Sequence, residues 1–184
     1  MNSEQDAFEI LKREHKIVED LLGRLRELGE RMLTGERVSP GAVRLGVGLL
    51  DAYLHRVHMR QFDVELWPEA EAVAGPECVA SLEFTRDSHA KVRRSARRLL
   101  ELTSQWAKGD TAAQGKVARG LLDLAAVDEA TNVFEEQHPF VCLESSMPRF
   151  TQARVGSLFA GHAGTKGALE TNITRFLNAS RMDE

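Results

Sequence analysis

Apolar residues recur along most of this chain in steps of three and four, the spacing that keeps side chains on one face of an α-helix. From Phe8 the pattern runs Phe8, Leu11, His15, Val18, Leu22, Leu25, Gly29 and Met32. Ser39-Pro40 reads as an N-cap with proline at the first helical position, and the stripe behind it is Val43, Val47, Leu50, Leu54, His58, Phe62 and Leu66. That helix is expected to run to about Trp67-Pro68. Gly75-Pro76 opens a third, with Leu82, Thr85, His89, Val92, Ala96, Leu99, Thr103 and Trp106 on its inner side. Gly109-Asp110-Thr111 breaks and restarts the chain, and Val117, Leu121, Leu124, Thr131, Phe134, His138 and Val141 mark the buried side of a fourth helix ending near Pro148. Sustained apolar/polar alternation is missing, so no strands are expected.

Amphipathic helices of this length joined by short connections predict an all-α, up-down-up-down antiparallel four-helix bundle over residues 1–148. Residues 149–184 read as a C-terminal helical extension built on Val155, Leu158, Phe159, Ile173, Phe176 and Leu177, weakened by Gly156, Gly161, Gly164 and Gly167. It is expected to pack on the bundle or on a partner chain, as a lid or as the contact of a homodimer.

Each stripe contains one histidine: His15, His58, His89 and His138. In an up-down bundle, residues early in the first and third helices lie level with residues late in the second and fourth. At 1.5 Å per residue all of these histidines then fall within roughly 12 to 20 Å of one end. A lone inward histidine is ordinarily a hydrogen-bonded core residue. One on every helix at similar depth points to a metal or cofactor site, because unpaired imidazoles in a dry core cost free energy. His55, one turn before His58, reads as a supporting partner, and His162 in the glycine-rich tail receives no ligand role. Tyr53 is placed at the edge of its helix face, and would be a phenolate ligand only if that helix were rotated.

Lys and Arg total 24 against 28 Asp and Glu, a net charge of -4 that argues against nucleic acid as partner. The basic run Arg93, Arg94, Arg97 and Arg98 has Leu99, Leu100 and Leu102 as neighbours and reads as the solvated face of an amphipathic helix. The first residues are acidic and polar, unlike a secretory leader, and no apolar stretch approaches the length needed to cross a bilayer, so a soluble cytoplasmic protein is expected. Cys78 and Cys142 lack the spacing of a zinc motif and are expected to be free thiols. No nucleophile with base, phosphate loop or HExxH motif is present, so any turnover would run through a metal or cofactor.

The stretches REHKIVEDLL around His15, HMRQFDVELWP from His58 to Pro68, RDSHAKVRR around His89 and HPFVCLESSMP from His138 to Pro148 make residues 8–150 resemble the hemerythrin-like, or HHE cation-binding, family of non-haem iron proteins. The resemblance implies iron held between the helices by histidines and carboxylates, and a role in binding dioxygen, sensing oxygen or redox state, responding to nitric oxide or peroxide, or handling iron. The carboxylates of that family lie one turn after the histidines of the second and fourth helices. Here those places hold Phe62 and Cys142. Asp63, Glu65, Glu135 and Glu144 stand nearby, and Pro139 is a means by which Glu144 could be turned inward.

The departure leaves four readings open. The first is a remodelled non-haem iron site with His15, His58, His89 and His138 as ligands. The second is a haem pocket with axial histidines and walls of Phe62, Phe134 and Phe140. The third is a zinc or copper site using the Cys142 thiolate, although Cys142 reads more readily as a small core hydrophobe. The last is a metal-free interaction module.

Overall fold

The computed structural model describes residues 6–179. Its elements are α1 (Ala7–Leu33), α2 (Pro40–Tyr53), two π-helical segments (Leu54–His58 and Gln61–Leu66) that carry the same rod onward into α3 (Trp67–Glu71), then α4 (Pro76–Ala107), α5 (Thr111–Gln137), α6 (Pro139–Ser146), α7 (Arg149–Ala160) and α8 (Ala163–Ala179). No strand occurs among the described residues. The all-α expectation holds. α1 packs on α2 and α5, and α4 packs on those same two rods, which closes a ring of packed helices around a common core. α7 packs against α1, and α8 against α2 and α1.

Local chemistry sets the helix ends. Asp6 accepts hydrogen bonds from the amides of Phe8 and Glu9, and Asp110 from those of Ala112 and Ala113, so α1 and α5 begin on side-chain caps. Ser39 stands at the cap position of α2 but makes no side-chain capping bond, which leaves Pro40 to start that helix. Gly35 and Gly109 take φ of 85° and 99° in the turns after α1 and α4, a region open chiefly to glycine.

The π segments explain how the second stripe stays inside. Leu50, Leu54, His58, Phe62 and Leu66 are spaced by four, and each such step on an α-helix advances about 40°. Over this run the stripe would turn by roughly 160° and leave the core. The wider π turns absorb that drift, and all five side chains are buried.

The fourth rod departs from expectation at its end. A proline restricts the residue before it and clashes with a continuing α-turn. Pro139 accordingly breaks the rod at His138, which adopts φ -120° and ψ -78° between α5 and α6. Val141 is exposed as well, and Phe134 is only half-buried, with its ring against Phe84 and His138. The buried side of α5 instead follows Leu121, Ala125, Asp128, Asn132 and Glu135.

The cysteines require a correction. Cys78 at the start of α4 and Cys142 in α6 form a disulfide, with Cα atoms 5.9 Å apart and 64 residues between them in sequence. They are therefore not free thiols. Among the described residues no helix is long and apolar enough to cross a membrane. Of the basic run, Arg94, Arg97 and Arg98 are exposed, as a solvated face requires, while Arg93 is partly buried.

Candidate metal centre

Two apolar clusters fill the bundle. One is built on residues such as Val18, Leu50, Val92 and Leu124, the other on Phe8, Leu11, Phe62, Leu82 and Phe140. Between them the rods contribute a polar layer: His15 from α1, His58 from the first π segment, His89 from α4 and Glu135 from α5, each no more than 1 % exposed. Three of the four expected histidines thus come together. The fourth does not, because the break at Pro139 leaves His138 exposed. The α5 rod supplies a carboxylate one turn earlier instead.

Glu135 is the hub. His89 Nε2 lies 2.7 Å from its Oε1, while His15 Nε2 and His58 Nε2 lie 3.2 Å and 3.5 Å from its Oε2. Ligand atoms from His15, His58 and Glu135 fall within 4.8 Å of one another, a span over which they could share one cation. Each ring turns its other nitrogen to a second carboxylate: His15 Nδ1 to Glu136 at 2.7 Å, His58 Nδ1 to Glu14 at 3.4 Å, and His89 Nδ1 to Asp63 at 3.9 Å. Hydrogen bonds to Glu136 and Glu14 set the orientation of the His15 and His58 rings, the arrangement typical of metal-binding histidines, while Asp63 lies near His89 without bonding to it.

Aromatic rings flank the cluster. The Phe140 ring stacks on His15 at 5.6 Å, and Phe62 meets His89 edge-on at 5.2 Å. Phe62 therefore packs against the site without offering a donor. Cys142 is spent in its disulfide and offers no thiolate, which removes the zinc or copper reading through that residue. Glu144, which the break at Pro139 could have turned inward, is exposed and bonded to Lys12 at 2.8 Å. Glu65 pairs with His162 outside the cluster, and His55 is exposed. Tyr53 is buried, but its hydroxyl donates to Glu170 at 3.1 Å.

Burial would suppress charge here, yet the partners outweigh it. Desolvation acts to lower the His58 pKa, but Glu135 and Glu14 push it up to about 10. His89 is raised too, with Glu135 and Asp63 overcoming burial. Glu135 is held well below the usual carboxylate range despite complete burial, because His89, His15 and His58 surround it. Asp128, one face-turn before Asn132 on the same side of α5, is pushed up to about 6, chiefly by burial. Several buried polar atoms here find no hydrogen-bond partner: His58 Nε2, His89 Nδ1, Asp128 Oδ2 and Asn132 Nδ2. An orphaned imidazole nitrogen aimed at a carboxylate hub fits a cation as its missing partner.

Such a layer of imidazoles and carboxylate inside a helical bundle is a candidate site for a cation. The family model described as the hemerythrin HHE cation binding domain matches residues 6–137, well over half of the chain. The chain belongs to that family. No curated protein and no solved structure matches it.

Sequence reasoning missed Glu14 and Glu136 entirely and named Glu135 only as one of several nearby acids. A signal for Glu135 existed. Steps of three and four from Leu121 lead through Ala125, Asp128 and Asn132 to it, whereas following apolar residues alone leads to Phe134 and His138.

Proposed function

We propose that His15, His58, His89 and Glu135 hold a non-haem iron ion, and that the protein binds or senses dioxygen, redox state or a related small ligand through it. The observation carrying this is the two-sided arrangement of all three rings, with Nε2 toward Glu135 and Nδ1 toward a second carboxylate. Three imidazoles with one carboxylate form a borderline donor set suited to iron. When bound, the ion would supply a Lewis-acidic, one-electron redox centre. Glu136 and Glu14 orient the His15 and His58 rings and fix which nitrogen is free to ligate, Glu135 holds His89 Nε2, and Phe140 and Phe62 keep bulk water off them.

Elemental analysis and visible absorption test this directly. Protein purified aerobically, or reconstituted anaerobically with Fe(II), is expected to retain iron through desalting, and His89→Ala to lose it. Iron below a few tenths per chain after reconstitution would sink the proposal. A Soret band on haem addition that His58→Ala abolishes would favour a haem pocket instead. A triple His15, His58 and His89→Ala variant as stable as the parent would favour a metal-free module.

Proton release gives a second test. In the metal-free chain the raised His58 value of about 10 means its ring carries a proton at neutral pH, and an entering ion must displace it. Titrating metal into weakly buffered protein at pH 7 is expected to acidify the solution. Affinity should rise with pH up to about 10, and a pH-independent affinity would contradict this picture.

A further inference from the structure

Glu135 is not the only carboxylate buried in this layer. Glu14, 0 % exposed, lies on the opposite side of His58 and accepts contacts from three directions. His58 Nδ1 is 3.4 Å from its Oε2. The Gln61 amide nitrogen, turned toward it, lies 2.7 Å and 2.8 Å from its two oxygens. The third contact comes from outside the bundle: Lys166 of α8 places Nζ 2.7 Å from Glu14 Oε1, with its side chain 21 % exposed. Lys166 Nζ is also 4.0 Å from Glu170, which accepts the hydrogen bond of the buried Tyr53 hydroxyl.

A buried carboxylate is stable only when its charge is compensated. Glu14 has that compensation in the His58 ring at 3.4 Å and the Lys166 ammonium at 2.7 Å. The layer therefore has two anionic centres with different neutralising groups. Imidazole Nε2 atoms, which can ligate a metal, surround Glu135. A lysine ammonium, which cannot, caps the oxygen-rich side formed by Glu14, Glu170 and Tyr53.

We propose that Lys166 is a built-in cation occupying a second cation subsite made by Glu14, Glu170 and Tyr53, so that the centre takes one metal ion per chain and α8 is strapped over it. This rests on the reading that His15, His58, His89 and Glu135 hold a metal. Carboxylate and phenol oxygens would take a hard or borderline divalent ion if the ammonium were withdrawn. Lys166 lies beyond the span matched by the family model, so the device belongs to the C-terminal extension.

Co(II) titration of the metal-free, full-length chain tests it, read by elemental analysis after equilibrium dialysis and by visible absorption. The parent should bind one ion per chain and Lys166→Gln two. Lys166→Arg should remain like the parent, and the double variant Glu170→Gln, Lys166→Gln should return to the parent's number, having lost a carboxylate of the subsite together with its cation. Metal-free Lys166→Gln should also melt below the parent, with the second Co(II) equivalent restoring the loss. The decisive quantity is the difference between variant and parent. If Lys166→Gln gains no ion over the parent, the proposal is overturned. A parent that binds none while Lys166→Gln binds one would overturn the His/Glu metal centre and leave the Lys166 subsite standing. Should Lys166→Gln fail to fold unaided, recovery on refolding with Co(II) supports the subsite, and failure with or without it counts against it.

Discussion

Glu135→Gln is expected to cut metal affinity by on the order of 100-fold or more while leaving the fold's volume unchanged. Removing the partner behind a ligating histidine already costs roughly 10- to 100-fold, and Glu135 faces three rings at once and carries the central charge of the cluster. The metal-free protein should suffer too. Taking one partner from a buried charged group costs about 3 to 5 kcal/mol, and the imidazoles around residue 135 would lose their counter-charge. The pH dependence separates this from generic damage. His58 is raised to about 10 in the folded chain, so its contribution is complete below its ordinary 6.5 and disappears as pH rises through 10. Glu135 is lowered, so its contribution is present above its ordinary 4.5 and disappears as pH falls toward its folded value. Metal-free protein should therefore be most stable between those ordinary values, and Glu135→Gln should flatten both slopes. Denaturant melts across pH 4 to 10, with metal binding measured alongside, check the prediction. A variant that binds metal within a few-fold of the parent would show that Glu135 is not a ligand.

How much of this was visible in the sequence depends on what kind of force placed each residue. His15, His58 and His89 were legible because each interrupts an apolar stripe, and burial of that stripe carries the histidine inward. Leu50, His58 and Leu66 stay on one face over the whole run because the rod switches to π turns that cancel the drift of four-residue steps. His138 fails for a local reason that was written in the chain: the next residue is proline, and backbone sterics outrank the apolar pattern there. On α5 the inward face becomes polar at Asp128, Asn132 and Glu135, so a search for apolar residues is drawn to the wrong side where the functional groups lie.

Glu14 is a different case. It sits next to His15, about 100° around the helix, in step with the buried Leu11, Val18 and Leu21, so its position faces the bundle although its side chain is charged. What compensates its charge there is His58 and Gln61 from the second rod together with Lys166, which α8 brings to it. A tertiary contact across 152 residues leaves no periodic trace. The C-terminal extension, expected as a lid or a dimer contact, thus packs on its own bundle and completes the polar layer.

Breaking the disulfide is expected to destabilise the chain by about 4 kcal/mol, from the loop entropy that a cross-link over 64 residues removes from the unfolded state. For a chain of this size that is a fall of roughly 8 to 16 °C in Tm. Cys142→Ser and treatment with a dithiol reductant should give the same shift, and reductant should add nothing to Cys142→Ser. The loss should also reach the metal layer, because the cross-link ties α6 to the start of α4, and α6 carries the Phe140 ring that stacks on His15. Thiol titration in denaturant provides the direct check: no reactive thiol before reduction, and both Cys78 and Cys142 reactive after it. Two titrating thiols in unreduced protein would remove the cross-link from the account. The same measurement bears on where the chain works. Structural disulfides persist in oxidising compartments and are rare in a reduced cytoplasm, so a cytoplasmic chain would hold the dithiol form and with it the lower stability and the looser cover over His15.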